Sequence, residues 1–262
     1  MTLQETNNSH INNILRLSVQ ISLNGLSFFI TNEQGDVISF EEEDWPHTTT
    51  PEELLLELEK LFLKLPEQTN FSEVVVVYNT PVHSVIPSHL FDPAKGSEYL
   101  KFNSKILAND YVAHDMLQQW NLTIVHIPFM NINNAIFERF GSFHYYHNIT
   151  ILLKELLENT SGDTEIYVQV DKGFFNCVVL KNGKLQLSNS FPYTSPEDFL
   201  YYLLFVLEQL KMDPDSVPVN LCGTVVEGDA LYTLAFQYIR NLRFLEKDID
   251  SKLPFPLKAI LS

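Results

Sequence analysis

Positive charge is scarce in this 262-residue chain: 17 Lys and Arg stand against 33 Asp and Glu, for a net charge of −16. Phosphate backbones are gripped by clustered cations, so this balance argues against a nucleic-acid partner. Cysteine is nearly missing too, with only Cys177 and Cys222 present, too few for a disulfide scaffold. No window holds 18 or more apolar residues, which leaves no candidate membrane span. Met1 to Asn13 is polar where a secretory signal would be apolar. These absences predict a cytoplasmic protein without a membrane partner, in which the Asn-x-Ser/Thr triplets at Asn121 and Asn148 carry no meaning. Nor is there a Walker-type loop, a GxSxG elbow or a GxGxxG turn.

What the chain does contain is the same pattern twice. Gly25 and Gly35 punctuate three apolar runs in the first half, and Gly173 and Gly183 punctuate three in the second, each pair 148 residues apart. Thr50-Pro51-Glu52 and Ser195-Pro196-Glu197 then open a helix in each half, 145 residues apart. Pro at the first turn and acids near the positive end of the helix dipole are start signals. A β-rich run follows each helix, Val74 to Tyr78 and Val217 to Cys222. The length of 262 residues fits two lobes of a little over 100 residues each.

Along the first half, Leu15 to Leu23 predicts a strand closed by a hairpin at Asn24-Gly25, a dipeptide suited to two consecutive positive φ angles. Leu26 to Thr31 and Val37 to Phe40 complete a meander, and Glu41 to Asp44 make a solvated exit. Leu54, Leu55, Leu58, Leu61 and Phe62 form the apolar stripe of a helix from Pro51 to about Lys64. Val74 to Val77, a continuous β-branched run, reads as a strand covered on both faces. A helix is predicted from about Ser104 to Trp120 and a fifth strand from Leu122 to Ile127. Two helices, Asn131 to Phe140 and Ile149 to Asn159, connect the halves. The second half repeats the meander over Glu165 to Val170, Phe174 to Leu180 and Lys184 to Asn189. A helix from Pro196 to about Met212, a strand from Val219 to Cys222, a helix from Asp229 to Arg240 and a run from Leu242 to Leu245 follow.

A β-meander, a crossover helix and a parallel strand make the ribonuclease-H-like unit, and two in tandem make the lobes of the sugar kinase, heat-shock chaperone and actin superfamily. The segment Asn189-Ser-Phe-Pro-Tyr-Thr-Ser-Pro-Glu-Asp-Phe-Leu-Tyr-Tyr-Leu-Leu-Phe-Val-Leu-Glu-Gln-Leu210, continuing to Leu221-Cys222-Gly223, resembles a bacterial domain-of-unknown-function family that carries the actin-like ATPase fold. The expected fold is therefore α/β, with two ribonuclease-H-like lobes of duplicated βββαβαβ, residues 1–128 and 129–262. In a 3-2-1-4 strand order one strand separates Cys177 from Cys222. Strands lie about 4.8 Å apart, so the two would be roughly 9–10 Å apart, beyond disulfide reach.

The superfamily implies a nucleotide gripped between the lobes. Asp- and Gly-rich hairpins cradle the phosphates, carboxylates hold Mg²⁺, and a Gly-Gly pair accommodates the adenosine. In this sequence the second hairpin keeps Asp171-Lys172-Gly173, but Phe174 and Phe175 follow. The first hairpin has Leu23 at the position expected to match Asp171. The adenosine pair is reduced to Gly223-Thr224, and Tyr78-Asn79-Thr80 offers no acid to orient water. The expected function is non-catalytic, through a protein partner or self-association and without a cofactor. The alternative is a divergent ATPase binding ATP with magnesium through Gly25, Asp171, Gly173 and Gly223.

Other polar motifs give less. His144 and His147 sit at i, i+3 with no third ligand nearby, so no metal is expected. His83, His89, His114 and His126 are scattered. Phe199 to Leu207 is apolar around the whole helix, more than one sheet can cover. The excess face either packs under the helices at 131–159 or forms an interface, with Tyr201, Tyr202 and Phe205 as its candidates.

Overall fold

Leu15, Leu17, Val19 and Ile21 alternate with polar residues along β1 (Leu15–Ser22), which pairs with β2 (Gly25–Thr31), and β2 in turn pairs with β3 (Val37–Asp44). The computed structural model describes residues 15–245 except 46, 66–70, 102–103 and 108–109. Helix α1 (Pro51–Lys64) starts on a capping box in which the Thr50 hydroxyl accepts from Glu53 N and the Glu53 carboxylate accepts from Thr50 N. Its Leu54, Leu58 and Leu61 are buried against the sheet, which continues into β4 (Phe71–Tyr78). β4 runs parallel to β1, and Val74 to Val77 are buried as expected of an interior strand.

An insertion follows. Strands β5 (His83–Pro87), β6 (Ala113–Leu117) and β7 (Leu122–His126), with the short helix α2 (Gly96–Leu100), form a separate antiparallel sheet in the order β5-β7-β6. The chain then forms α3 (Met130–Phe140), β8 (His144–His147) and α4 (Asn148–Glu158). Two sequence expectations fail in this region. In place of a helix over Ser104 to Trp120 there is strand β6, whose residues alternate between buried Ala113, Asp115 and Leu117 and exposed His114 and Met116. That is the period of a strand, short enough to be lost in a longer apolar count. Leu122 to Ile127 does form a strand, but in the inserted sheet. The fifth strand of the first lobe is β8, whose sequence His-Tyr-Tyr-His shows no β-branched run.

The second lobe comprises β9 (Glu165–Asp171), β10 (Phe174–Lys181), β11 (Lys184–Pro192), α5 (Pro196–Gln209), β12 (Val219–Gly223), α6 (Ala230–Tyr238) and β13 (Leu242–Phe244). The two large sheets share one order, β3-β2-β1-β4-β8 and β11-β10-β9-β12-β13, with the last three strands of each parallel. This is the duplicated, two-lobed α/β fold expected from the sequence. Because β8 completes the first sheet, that lobe reaches past the division at 128/129 to His147. β9 separates Cys177 from Cys222, and both are buried. Burial pushes the Cys177 thiol up to about 12.

Hydrophobic cores hold the layers together. One lies between the first sheet and α1 and α3, and one between the second sheet and α5 and α6. In a third, Ile149, Leu152, Leu153, Leu156 and Leu157 of α4 pack against Leu117 and Ile124 of the inserted sheet and against Tyr167, Val178 and Leu180 of the second lobe. The linking segment is thus a shared core element, which a helix with apolar residues this dense requires. α5, by contrast, packs on β11 and α6, and its buried residues belong to a core cluster drawn from the second lobe.

Candidate functional site

The hairpins that would flank a phosphate are β1–β2 and β9–β10. In the first, Ser22 pairs with Gly25, so the loop is Leu23-Asn24, and neither loop residue has a positive φ. In the second, Asp171 pairs with Phe174 and the loop is Lys172-Gly173. Matching backbone bonds fix the equivalence of the lobes. Asn79 N donates to Ile21 O at 2.8 Å as Thr224 N donates to Val170 O at 2.9 Å, and Trp45 N donates to Asn24 O as Tyr193 N donates to Gly173 O. Asn24 therefore matches Gly173, and the partner of Asp171 is Ser22. The sequence alignment of Gly25 with Gly173, and of Leu23 with Asp171, is one residue out of register. The turn with two positive φ angles expected at Asn24-Gly25 occurs instead at Asn182 (φ 53°) and Gly183 (φ 68°). Gly25 is required for room, since a Cβ there would stand 2.7 Å from Asp44 Oδ1 and 2.8 Å from Glu43 O.

The two hairpin tips touch each other. Asn24 Nδ2 donates to the Lys172 carbonyl at 2.7 Å, and the Lys172 ammonium reaches back to Asp44 Oδ2 at 2.6 Å. Asn79, at the end of β4, donates to Asp171 Oδ2, while Lys172 N donates to Asp171 Oδ1 at 2.8 Å. Both carboxylate oxygens of Asp171 are thus engaged. Burial raises the Asp171 carboxyl above its ordinary value, opposed by the bonds from Lys172 N and Asn79 and reinforced by Asp44. Behind this contact, Asn148 Nδ2 donates to Asn79 Oδ1 at 3.0 Å and to Gln169 Oε1 at 2.6 Å. A chain of neutral amides therefore ties β4, α4 and β9 together.

Beside the tips is a cavity of about 350 Å³, within the range of small-molecule sites. Asn24, Asn79, Thr80, Lys172, Phe174 and Asn189 are among its walls, which come from both lobes and the inserted segment. Gly173 lines it; Gly25, Asp171 and Gly223 do not. A magnesium nucleotide asks for one or two carboxylates beside its phosphates, and none of the described residues that line the cavity carries one. Lys172, the one cation among its described lining residues, is already paired with Asp44. Gly223 has a purely structural reason to be glycine, because a Cβ would lie 2.1 Å from Val170 O. The donor set does not fit a magnesium nucleotide.

Sequence reasoning passed over a second polar cluster, formed by three histidines far apart along the chain. The His147 ring contacts those of His83 and His126, with centroids 5.0 and 5.3 Å away and planes tilted by 38° and 48°. Its Nδ1 caps α4 by accepting from Ile149 N, and its Nε2 contacts Thr80 O at 3.0 Å. His83 faces Ser188 and Ser190 of β11. Asp115 accepts from His147 N at 2.8 Å and from Thr150 Oγ1 at 2.5 Å. Burial, helped by His126, pushes His83 down to about 3, and burial with both neighbouring rings holds His147 well below its ordinary value. Among the described residues no group of three metal-ligating side chains is placed to hold a metal ion. His144 is exposed and His147 buried, so the i, i+3 pair does not converge.

Of the interface candidates, Tyr201 and Phe205 are exposed. Tyr202 instead stacks on Phe191 at 5.3 Å, packed against the second-lobe core.

The model for "Protein of unknown function (DUF3822)" matches residues 4–242. The chain belongs to this family. Among solved structures it is similar to a Bacteroides thetaiotaomicron protein described as having an actin-like ATPase fold and unknown function. The TM-score is 0.82 at 21% identity, covering 95% of this chain and 96% of that one. It is also similar to the PilM–PilN type IV pilus biogenesis complex, with TM-score 0.54, 13% identity, and 93% and 89% of the two chains covered. The ethanolamine utilization protein EutJ from Carboxydothermus hydrogenoformans gives a TM-score of 0.52 at 8% identity, over 88% and 84%. No curated protein matches. At these identities the likenesses show the actin-like ATPase fold. Among the described residues no helix is long and apolar enough to cross a membrane.

Proposed function

We propose that this chain is a non-catalytic protein of actin-like fold that acts by binding another protein. The observation that carries the reading is the contact between the hairpin tips, where Asn24 meets the Lys172 carbonyl and Asn79 holds Asp171. The superfamily resemblance would put a nucleotide's phosphates at these two hairpins, and here the hairpin groups bond to each other instead. The lack of a carboxylate among the described residues of the cavity lining supports the same reading. So does the likeness to a fold relative solved in complex with a protein, PilM with PilN. Isothermal titration of the whole chain with ATP and MgCl₂ tests it. We expect no binding heat and no phosphate release. Tight binding, with turnover abolished in Asp171→Ala, would overturn it.

One observation favours the alternative ATPase reading. The cavity of about 350 Å³ lies at the hairpin tips and is lined by Lys172 and Gly173. The same titration decides between the two.

A further inference from the structure

Helix α5 leaves one stripe of its surface uncovered. Glu197, Tyr201, Phe205 and Glu208 fall at i, i+4, i+8 and i+11, so they line one side of the helix over roughly 16 Å. All four are exposed, Tyr201 by 63% and Phe205 by 42%. The opposite side, with Phe199, Leu203, Val206 and Leu207, is sunk in the second-lobe core. The two exposed rings stack on each other, with centroids 6.3 Å apart and planes at 21°. Tyr201 also meets Tyr202 edge-on at 5.3 Å. An aromatic pair is thus ordered in advance, with a carboxylate at each end. Neither α5 nor α6 contains Lys or Arg, and the turn before α6 adds Glu227 and Asp229.

Charge selects the occupant. A second copy laid on this stripe would set carboxylate against carboxylate in parallel and in antiparallel orientation, because both ends are acidic. Each molecule would also bring its net charge of −16. A helix with apolar residues in the middle and Lys or Arg about three turns apart satisfies every group. Its apolar side chains cover the rings, and its cations reach the two glutamates and the ring faces. The matching helix of the first lobe, α1, is different: it exposes Leu56 and Leu63 but carries Lys60 and Lys64 among its acids. We propose that the Glu197–Glu208 stripe of α5 docks a basic amphipathic helix of a partner protein. The proposal rests on the protein-binding reading above and adds the surface and the chemistry of the partner.

Two synthetic helical peptides test it. One carries Lys on either side of paired leucines at the matching spacing, and the other carries Glu in place of Lys. Titrated by fluorescence anisotropy against the whole chain, the Lys peptide should bind about tenfold or more tightly than the Glu peptide. Tyr201→Ala with Phe205→Ala should weaken the Lys peptide about tenfold. Glu197→Lys with Glu208→Lys should invert the preference, whereas Glu52→Lys with Glu59→Lys on α1 should leave it unchanged. Equal effects of the α1 and α5 charge changes would overturn the proposal, since the peptide would then be sensing acidity in general. A wild-type dimer in sedimentation that Tyr201→Ala dissolves would also overturn it, in favour of a second copy. ATP binding by the same sample would count against the protein-binding reading, while failure of the peptide arms alone would count only against α5.

Discussion

Gly223 illustrates how a residue that looks functional can be accounted for by packing. It stands where an adenosine motif would place one of two glycines, yet its reason is the Val170 carbonyl across the β9–β12 pairing. Gly223→Ala must both hold φ at +92° and push that carbonyl away. We expect a loss of about 2 kcal/mol or more in denaturant unfolding, and a variant as stable as the wild type would contradict the close approach. The histidine cluster makes a separate, pH-dependent prediction. His83 and His147 are held neutral, so the unfolded chain binds protons near the ordinary value of 6.5 that the folded chain refuses. Neither costs stability above about pH 6.5, and both cost it as pH falls below that, His83 down to about 3. Asp171 and Glu42 are shifted upward and run the other way, so acid relieves the cost of ionising them and partly masks the loss. With His83 at about 3, its share at pH 4 is on the order of 3 kcal/mol. His83→Leu should therefore flatten the fall in melting temperature between pH 6.5 and 4; an unchanged slope would show that His83 takes up its proton in the fold.

At the scale of elements, legibility follows the strength of local signals. α1 and α5 are readable because each begins with a hydroxyl cap followed by Pro, and both caps are made: Thr50 to Glu53 N, and Ser195 to Asp198 N. Ser195→Ala should cost about 1 kcal/mol in thermal unfolding without altering the sheet, and no change at all would mean that the exposed first turn is satisfied by water instead. β6 and β8 are not readable. Each is four or five residues long and mixes polar with apolar side chains, and a segment that short acquires its strand state from its neighbours rather than from propensity. The one-residue error in matching the hairpins arises because Gly25 and Gly173 are the same residue type put to different uses. Gly25 makes room for Asp44, whereas Gly173 sits in a turn at positive φ. The contact between the tips has no signal at all in sequence, since Asn24, Asn79 and Lys172 are ordinary polar residues until the two lobes bring them together.

For the whole molecule, the duplicated sheets are visible as a repeat in the sequence, but their coupling is not. Neutral amides run from Asn79 through Asn148 to Gln169, and the hairpin tips join close by. Relative motion of the lobes must therefore break buried hydrogen bonds in a low-dielectric setting, where each counts for more than on the surface. The continuity of β8 and α4 bears on how the chain folds during synthesis. His147 is both the last residue of the first sheet and the cap of the helix that covers the second. A nascent chain that has emerged only as far as the inserted sheet has no fifth strand for β4 to pair with. Once α4 emerges, its apolar side has no second sheet to rest on until β9 and β10 follow. Folding that goes domain by domain in many two-lobed proteins is thus deferred here. The first lobe is complete only once β8 has emerged beyond the inserted sheet, and the apolar side of α4 then stays uncovered until β9 and β10 follow it.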